Sequence, residues 1–246
     1  MKETVLLKLS GEALAKQGGT GIDMAKVQTI AYEIKALSEL GVSIGVVIGA
    51  GNMWRGRDAS TIGMDRITAD QMGMIGTIFN AMALYGAFES INVNAKVMTS
   101  IPVGNFTEPY NQKLARKSLE KGDIVIFGGG TGSPYFSTDT TAALRALEIG
   151  ATKILMAKNG VDGVYDSDPK TNKEAKRFTK ITYDELLKYH LQVMDLTAAT
   201  LCSDNNVETI VFDMGVKGNI KKVIEHPEIG TIISKYKERE NAKRNY

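Results

Sequence analysis

The sequence has few of the residues that staple a fold or ligate a metal. Cys202 is its single cysteine, and His190 and His226 are its two histidines, so neither an internal disulfide nor a Cys/His zinc site can be assembled. A reducing cytoplasm is the expected home. Charge of one sign is lacking as well. Thirty basic and 28 acidic residues leave a formal charge of +2. The segment from Lys235 to Tyr246 carries five basic and two acidic residues, which leaves residues 1–234 at −1. A body with that balance is no electrostatic footprint for nucleic acid. Long apolar runs are missing too: Thr4 to Leu9, following Lys2 and Glu3, is too short for a signal-peptide core or a membrane span. Neither nucleic acid nor membrane is an expected partner.

What remains is a chain of 246 residues, 43% hydrophobic and 24% charged, which is an ordinary globular balance with enough length for a substantial core. Nothing reads as a linker, a repeat or low complexity, so one domain over residues 1–246 is expected, with a polar tail at about 235–246. Glycine is the informative count. It numbers 25 of 246, about 10% against an average near 7%, and the glycines cluster.

Short apolar runs alternate with stretches of helical period, the pattern of parallel strands joined by crossover helices. Strands are expected at Val5–Leu9, Ser43–Ile48, Ala95–Met98, Ile124–Phe127, Ile154–Met156 and Thr209–Phe212. Between the first two, Val27, Ile30, Ala31, Ile34, Leu37 and Leu40 share a helix face, with Asp23 placed to cap it and Gly41 just beyond its end. A long helix is expected over Asp65–Phe88, where Met72, Ile75, Phe79, Met82 and Ala83 stand at helical spacing. That stripe reads first as core, although methionine faces also serve interfaces. Further helices are expected at 112–121, 138–149, 183–189, 195–204 and 218–224. The fold class is therefore α/β, a three-layer αβα sandwich around a mainly parallel sheet.

Three glycine-bearing segments directly follow expected strands: Ser10-Gly11, Gly49-Ala50-Gly51-Asn52 and Gly128-Gly129-Gly130-Thr131-Gly132. Ligands of open α/β sheets bind outside the carboxyl ends of the strands, so the three should share one crevice. Small residues let backbone N–H groups approach phosphate oxygens, and a helix start behind them adds positive potential. The same glycines could be plain turns, but three after successive strands favour phosphate. The common signatures are absent. No Gly-Lys dipeptide exists and no stretch satisfies G-x-G-x-x-G. No His-Arg-Asp, Asp-Phe-Gly, G-x-S-x-G or H-E-x-x-H occurs either, which removes protein kinases, common serine hydrolases and zincins.

Phosphoryl transfer is mostly positioning plus charge neutralisation, and suitable charges flank these loops. Lys8 stands at the carboxyl end of the first apolar strand, beside Ser10-Gly11. Arg55 and Arg57 follow Gly51-Asn52 and suit a bidentate grip on phosphate. Trp54, the sole tryptophan, precedes Arg55. Thr131, Gly132, Ser133, Pro134, Tyr135, Phe136, Ser137 and Thr138 bring hydroxyls and two aromatics to the start of a helix. After the fifth strand, Lys158 and Asn159 lead into Gly160-Val161-Asp162-Gly163-Val164-Tyr165 and Asp168-Pro169.

Together with Asp70-Gln71-Met72-Gly73-Met74 and Val193-Met194-Asp195, these blocks resemble the bacterial uridylate kinase family of the amino acid kinase superfamily, from Lys8 to about Ile233. The resemblance implies an amino acid kinase-like fold, a homohexamer, and transfer of the γ-phosphoryl group of ATP to UMP in pyrimidine biosynthesis. It implies Mg²⁺ carried with ATP, with no metal fixed by the protein. It points to Lys8, Arg55, Lys158 and Asp195 as catalytic. Lys8, Leu9, Ser10, Gly11, Gly51, Arg55, Asn159, Tyr165 and Asp168 would meet ATP. Gly49, Ala50 and Asp70, with Thr131 to Thr138, would meet UMP. Ala50 departs from the glycine that many relatives carry, and backbone approach tolerates its methyl at negative φ. Lys16, Gln17, Gly18, Gly19, Thr20 and Gly21 resemble a region that responds to GTP, with GTP as activator and UTP as inhibitor. The rivals are a kinase of the same superfamily acting on carbamate, glutamate, N-acetylglutamate or aspartate, and a non-catalytic nucleotide-binding regulator. The Asp70 block and Thr131 to Asp139 favour a nucleotide acceptor, and the joint presence of Lys8, Arg55 and Asp195 favours catalysis.

Overall fold

The structure is a computed structural model that describes residues 2–16, 19–54, 62–169, 171–191 and 193–236. The apolar run Thr4–Leu9 forms β1, buried from Val5 onward. It is paired in parallel on one side with β2 (Ser43–Ile48) and on the other with β6 (Lys153–Lys158). A parallel strand covered on both faces must be apolar on both, which is why it reads as an unbroken run instead of an alternation. The remaining strands are β3 (Ala95–Thr99), β4 (Glu108–Pro109), β5 (Ile124–Gly128), β7 (Lys180–Thr182), β8 (Glu208–Asp213) and β9 (Thr231–Ser234). Among the described residues they build one nine-stranded sheet in the order β4, β3, β5, β2, β1, β6, β8, β9, β7. Every pairing is parallel except β8 with β9.

Two apolar layers cover the sheet. On one face Val5, Leu7 and Leu9 pack under α1 (Met24–Ser38), α2 (Arg66–Ser90) and α7 (Asn219–Glu225). On the other, Leu6, Val47 and Phe127 pack under α3 (Gln112–Lys121), α4 (Thr138–Ile149), α5 (Tyr183–Lys188) and α6 (Leu196–Asp204). This is the expected three-layer arrangement. The expected cap is also present: the Asp23 carboxylate accepts from the N–H groups of Ala25 (3.0 Å) and Lys26 (3.4 Å), and Val27, Ile30, Ala31, Ile34 and Leu37 are buried.

Two expectations change. The stripe on α2 is not core: Met72, Ile75 and Phe79 are exposed, and only Met82 packs against the buried cluster. The core face of that helix is instead its small and aliphatic side, including Ala69, Ile78, Ala81, Leu84 and Ala87. Small residues let the helix lie close to the sheet, and the larger ones turn outward. The short strands β4, β7 and β9 were not expected; they are pieces of two to four residues at or next to the edges of the sheet.

Tyr183 pins α5 to the sheet. It is fully buried, and its hydroxyl bonds the Val207 carbonyl (2.9 Å) and the Thr209 hydroxyl (2.8 Å). Tyr183→Phe should lower the unfolding free energy by about 1–3 kcal/mol, the cost of stranding a buried polar partner. The urea midpoint of unfolding measures this, with catalytic turnover expected to be unchanged.

Candidate active site

Alternation along β1 decides where its one charge goes. Lys8 shares a face with Leu6, the face that α4 covers, and is only 6% exposed. Its ammonium lies 2.6 Å from Oδ1 of Asp139, in the first turn of α4, where a carboxylate also meets the positive end of the helix dipole. Asp139 closes the Thr131 to Asp139 segment, and the sequence assigned it no role of its own. The available signal was an acid two positions after the capping Ser137, whose hydroxyl accepts from the Asp139 and Thr140 N–H groups at 2.9 and 3.1 Å.

Lys158 ends β6, beside β1 in the sheet, and donates to the Val193 carbonyl at 2.9 Å. Burial, and then the nearby charge of Lys8, hold its pKa below the ordinary 10.5, while Asp139 opposes the shift. Asp195 is tied down by hydrogen bonds. It accepts from the Thr140 hydroxyl (3.0 Å), the Ala198 N–H (2.9 Å) and the Ser137 hydroxyl, so it caps α6 and fastens it to α4. Asp139, Lys158 and Asp195 line one cavity of about 580 Å³.

The glycine loops follow the carboxyl ends of the adjacent parallel strands β1, β2 and β5. A Cβ on Gly11 would stand 2.4 Å from the Gly49 carbonyl oxygen and 2.7 Å from the Gly51 nitrogen, so the first two loops touch and only glycine fits at position 11. In the third loop Gly129, Gly130 and Gly132 have φ of +82°, +61° and +86°, a region L side chains rarely adopt. That loop is held from beneath. The Gly129 N–H donates to the Thr77 hydroxyl (2.9 Å), and the Gly130 carbonyl accepts from the Ser100 hydroxyl (2.8 Å) and the Arg145 guanidinium (3.3 Å). Arg145 is buried, pairs with Glu148 and stacks over the Tyr110 ring at 3.7 Å. Thr77 and Arg145 carried no sequence signal, since each is an unremarked polar residue inside a helix.

Asp70 bonds both the Tyr135 N–H (2.7 Å) and Arg66 Nε (3.0 Å). It thereby joins α2 to the segment after β5. Between them lies a cavity of about 140 Å³ lined by Trp54, Asp70, Ser133, Phe136, Ser137 and Thr138, among others. The Trp54 indole donates to the Ala69 carbonyl at 2.9 Å and so packs on α2. Tyr165 and Asp168 line a different cavity of about 880 Å³, which shares Lys158 with the first. Asn159 is not part of that lining. Lys16, Gly19 and Thr20 are exposed, whereas Gly21 exchanges hydrogen bonds with Asn52. Arg55, Arg57, Gln17 and Gly18 lie outside the described residues.

The lowered pKa of Lys158 has a thermodynamic consequence. Between its value in the fold and 10.5, the unfolded chain binds more protons, so this group makes stability rise with pH. Urea midpoints of wild type and Lys158→Met, compared from neutrality upward, should show the wild type gaining on the variant. Parallel curves would contradict the shift.

Residues 3–213 match the amino acid kinase family. The chain is 54% identical to a uridylate kinase of Oenococcus oeni over 231 residues, 93% of this chain and 95% of that one. The crystal structure of UMP kinase from Bacillus anthracis superposes with a TM-score of 0.93 at 42% identity, covering 96% of this chain and 97% of the other. The UMP kinase from Ureaplasma parvum does so with a TM-score of 0.91 at 40% identity, covering 95% and 99%. Agreement of that extent, running through every strand that frames the crevice, places the chain in the amino acid kinase family, among its uridylate kinases.

Proposed function

We propose that this protein catalyses ATP + UMP → ADP + UDP. One observation carries the chemistry: a buried lysine at the carboxyl end of the central strand, paired with Asp139, on the strand that leads into the first of two touching glycine loops. An oxygen of the UMP phosphate attacks the γ-phosphorus of ATP in line. The new P–O bond forms as the bond to the bridging oxygen breaks, and ADP leaves with that electron pair. The acceptor phosphate is largely ionised at neutral pH, so no general base is needed. Lys8 neutralises the transferring group, and Lys158 adds a second positive charge when protonated.

In this reading the small cavity beside Asp70 takes UMP. Gly49 and Ala50 face its phosphate, Asp70 its ribose, and Thr131 to Thr138 wrap the rest. Leu9 to Gly11 and Gly51 face the ATP phosphates, Asn159, Tyr165 and Asp168 serve the adenine nucleotide, and Arg55, outside the described residues, is assigned to both nucleotides by the family resemblance alone. Mg²⁺ would neutralise the ATP phosphates. The carboxylates of Asp139 and Asp195 are the hard oxygen donors that this cavity offers such an ion. Among the described residues no group of three or more acidic, histidine or cysteine side chains could hold a metal by itself.

Self-association to a homohexamer is supported by the exposed apolar stripe of Ile67, Met72, Ile75 and Phe79 on α2. Activation by GTP through residues 16–21 is supported by the bonds that tie Gly21 to Asn52, at the end of the second glycine loop, and UTP, which resembles the product, is the inhibitor. A single domain and a cytoplasmic setting complete the reading. Among the described residues no helix is long and apolar enough to cross a membrane.

A coupled assay of ADP release tests the assignment, with UMP, CMP and carbamate offered separately alongside Mg-ATP. UMP should sustain turnover that the other two do not approach. Turnover of carbamate without UMP would assign the chain to another branch of the family, and none with any acceptor would make it a binding protein.

A further inference from the structure

Asn52 and Asn80 form a closed pair of amides, 1% and 0% exposed, and no part of the mechanism above uses them. Asn80 Nδ2 donates to Asn52 Oδ1 (2.7 Å) and to the Gly49 carbonyl (2.8 Å). Asn52 Nδ2 donates to Asn80 Oδ1 (3.0 Å) and to the Gly21 carbonyl (2.9 Å). A side-chain amide has two N–H groups, so all four donors of the pair are spent: two on each other, and two on the carbonyls of glycines at either side of the turn. Leucines of similar shape would fill this space without the cost of desolvating amides. What the amides add is direction.

We propose that Asn80 and Asn52 act as one positioning unit that turns the Gly49 carbonyl towards α2 and so aims the Ala50 N–H into the nucleotide crevice. A trans peptide is planar, with its carbonyl and the following N–H pointing opposite ways. Drawing the Gly49 oxygen onto Asn80 therefore drives the Ala50 N–H away from the helix. Three further contacts hold the turn in that orientation. Gly76 of α2 faces Ala50 so closely that a Cβ there would stand 2.9 Å from the alanine methyl. The Ala50 carbonyl accepts from the Met53 and Trp54 N–H groups at 2.8 and 2.9 Å. A Cβ on Gly11 would lie 2.6 Å from Asn52 Oδ1, so the first glycine loop closes over the pair from the other side. Asn80 and Asn52 touch no reacting atom in this scheme.

The proposal rests on the reading that Gly49 and Ala50 face the UMP phosphate. The test is steady-state kinetics of the full chain with UMP and ATP varied separately, alongside urea midpoints, for Asn80→Ala, Asn52→Ala, their double variant and the volume-conserving Asn80→Asp. Asn80→Asp can still accept from Asn52 but cannot donate to the Gly49 carbonyl. Each single variant should raise KM for UMP by about tenfold or more while KM for ATP stays within about twofold, an effect the size of a lost buried hydrogen bond. The double variant should be little worse than either single, because the two act as a unit. A rise in KM for ATP alone would keep the positioning role but move the turn from the UMP site to the ATP site. Folded variants with both KM values unchanged would overturn the proposal. So would failure of all the variants to fold, since the amides would then serve stability and not aim.

Discussion

Almost everything in the site depends on where one charge is allowed to stand. A lysine inside the central strand of a nine-stranded sheet has little access to bulk water, and its burial is tolerable because Asp139 lies 2.6 Å away. Removing one partner of a buried pair costs about 3–5 kcal/mol, so the position of α4 and the chemistry of β1 are specified together. Ser137 caps the helix that presents Asp139. Thr140 in the same turn bonds Asp195, which caps α6. A single ion pair is thus braced by two helix starts, and the carboxyl end of the sheet is held in place by the fold itself.

The second constraint is that α2 serves both sides of the crevice. Its inner surface meets the second glycine loop through Gly76 and Asn80, the third through Thr77, and the segment after β5 through Asp70. Its outer surface carries the apolar residues Met72, Ile75 and Phe79. A helix with one face on two glycine loops and exposed apolar residues on the other physically links its outer surface to the geometry of both loops. A small displacement of it would move both loops together, because packed interiors transmit strain instead of absorbing it.

Much of this was legible in the sequence. The strand runs were readable because double-sided burial demands unbroken apolar residues, and Asp23 and Gly41 marked the first helix by simple capping chemistry. Ser10-Gly11 and Gly49 to Asn52 could be read as one site because both end parallel strands. The outward turn of the α2 stripe was not legible. Size and apolarity look the same on a core face and on an interface, and here the core face belonged to alanines. Asp139, Asn80 and Arg145 escaped because their significance lies in contacts across 131, 28 and 15 positions of sequence to Lys8, Asn52 and Gly130. Periodicity is blind to such separations.

The most direct test of the central ion pair is a single-turnover measurement of phosphoryl transfer at saturating ATP and UMP, by rapid quench, in the wild type and in Lys8→Ala. Losing a charge-assisted bond worth about 1.5–3 kcal/mol in the transition state should slow the chemical step by about ten- to a hundredfold or more, in a protein that remains folded and still binds UMP. A chemical step at the wild-type rate would contradict the role of Lys8 and, with it, the reading of the crevice around that charge.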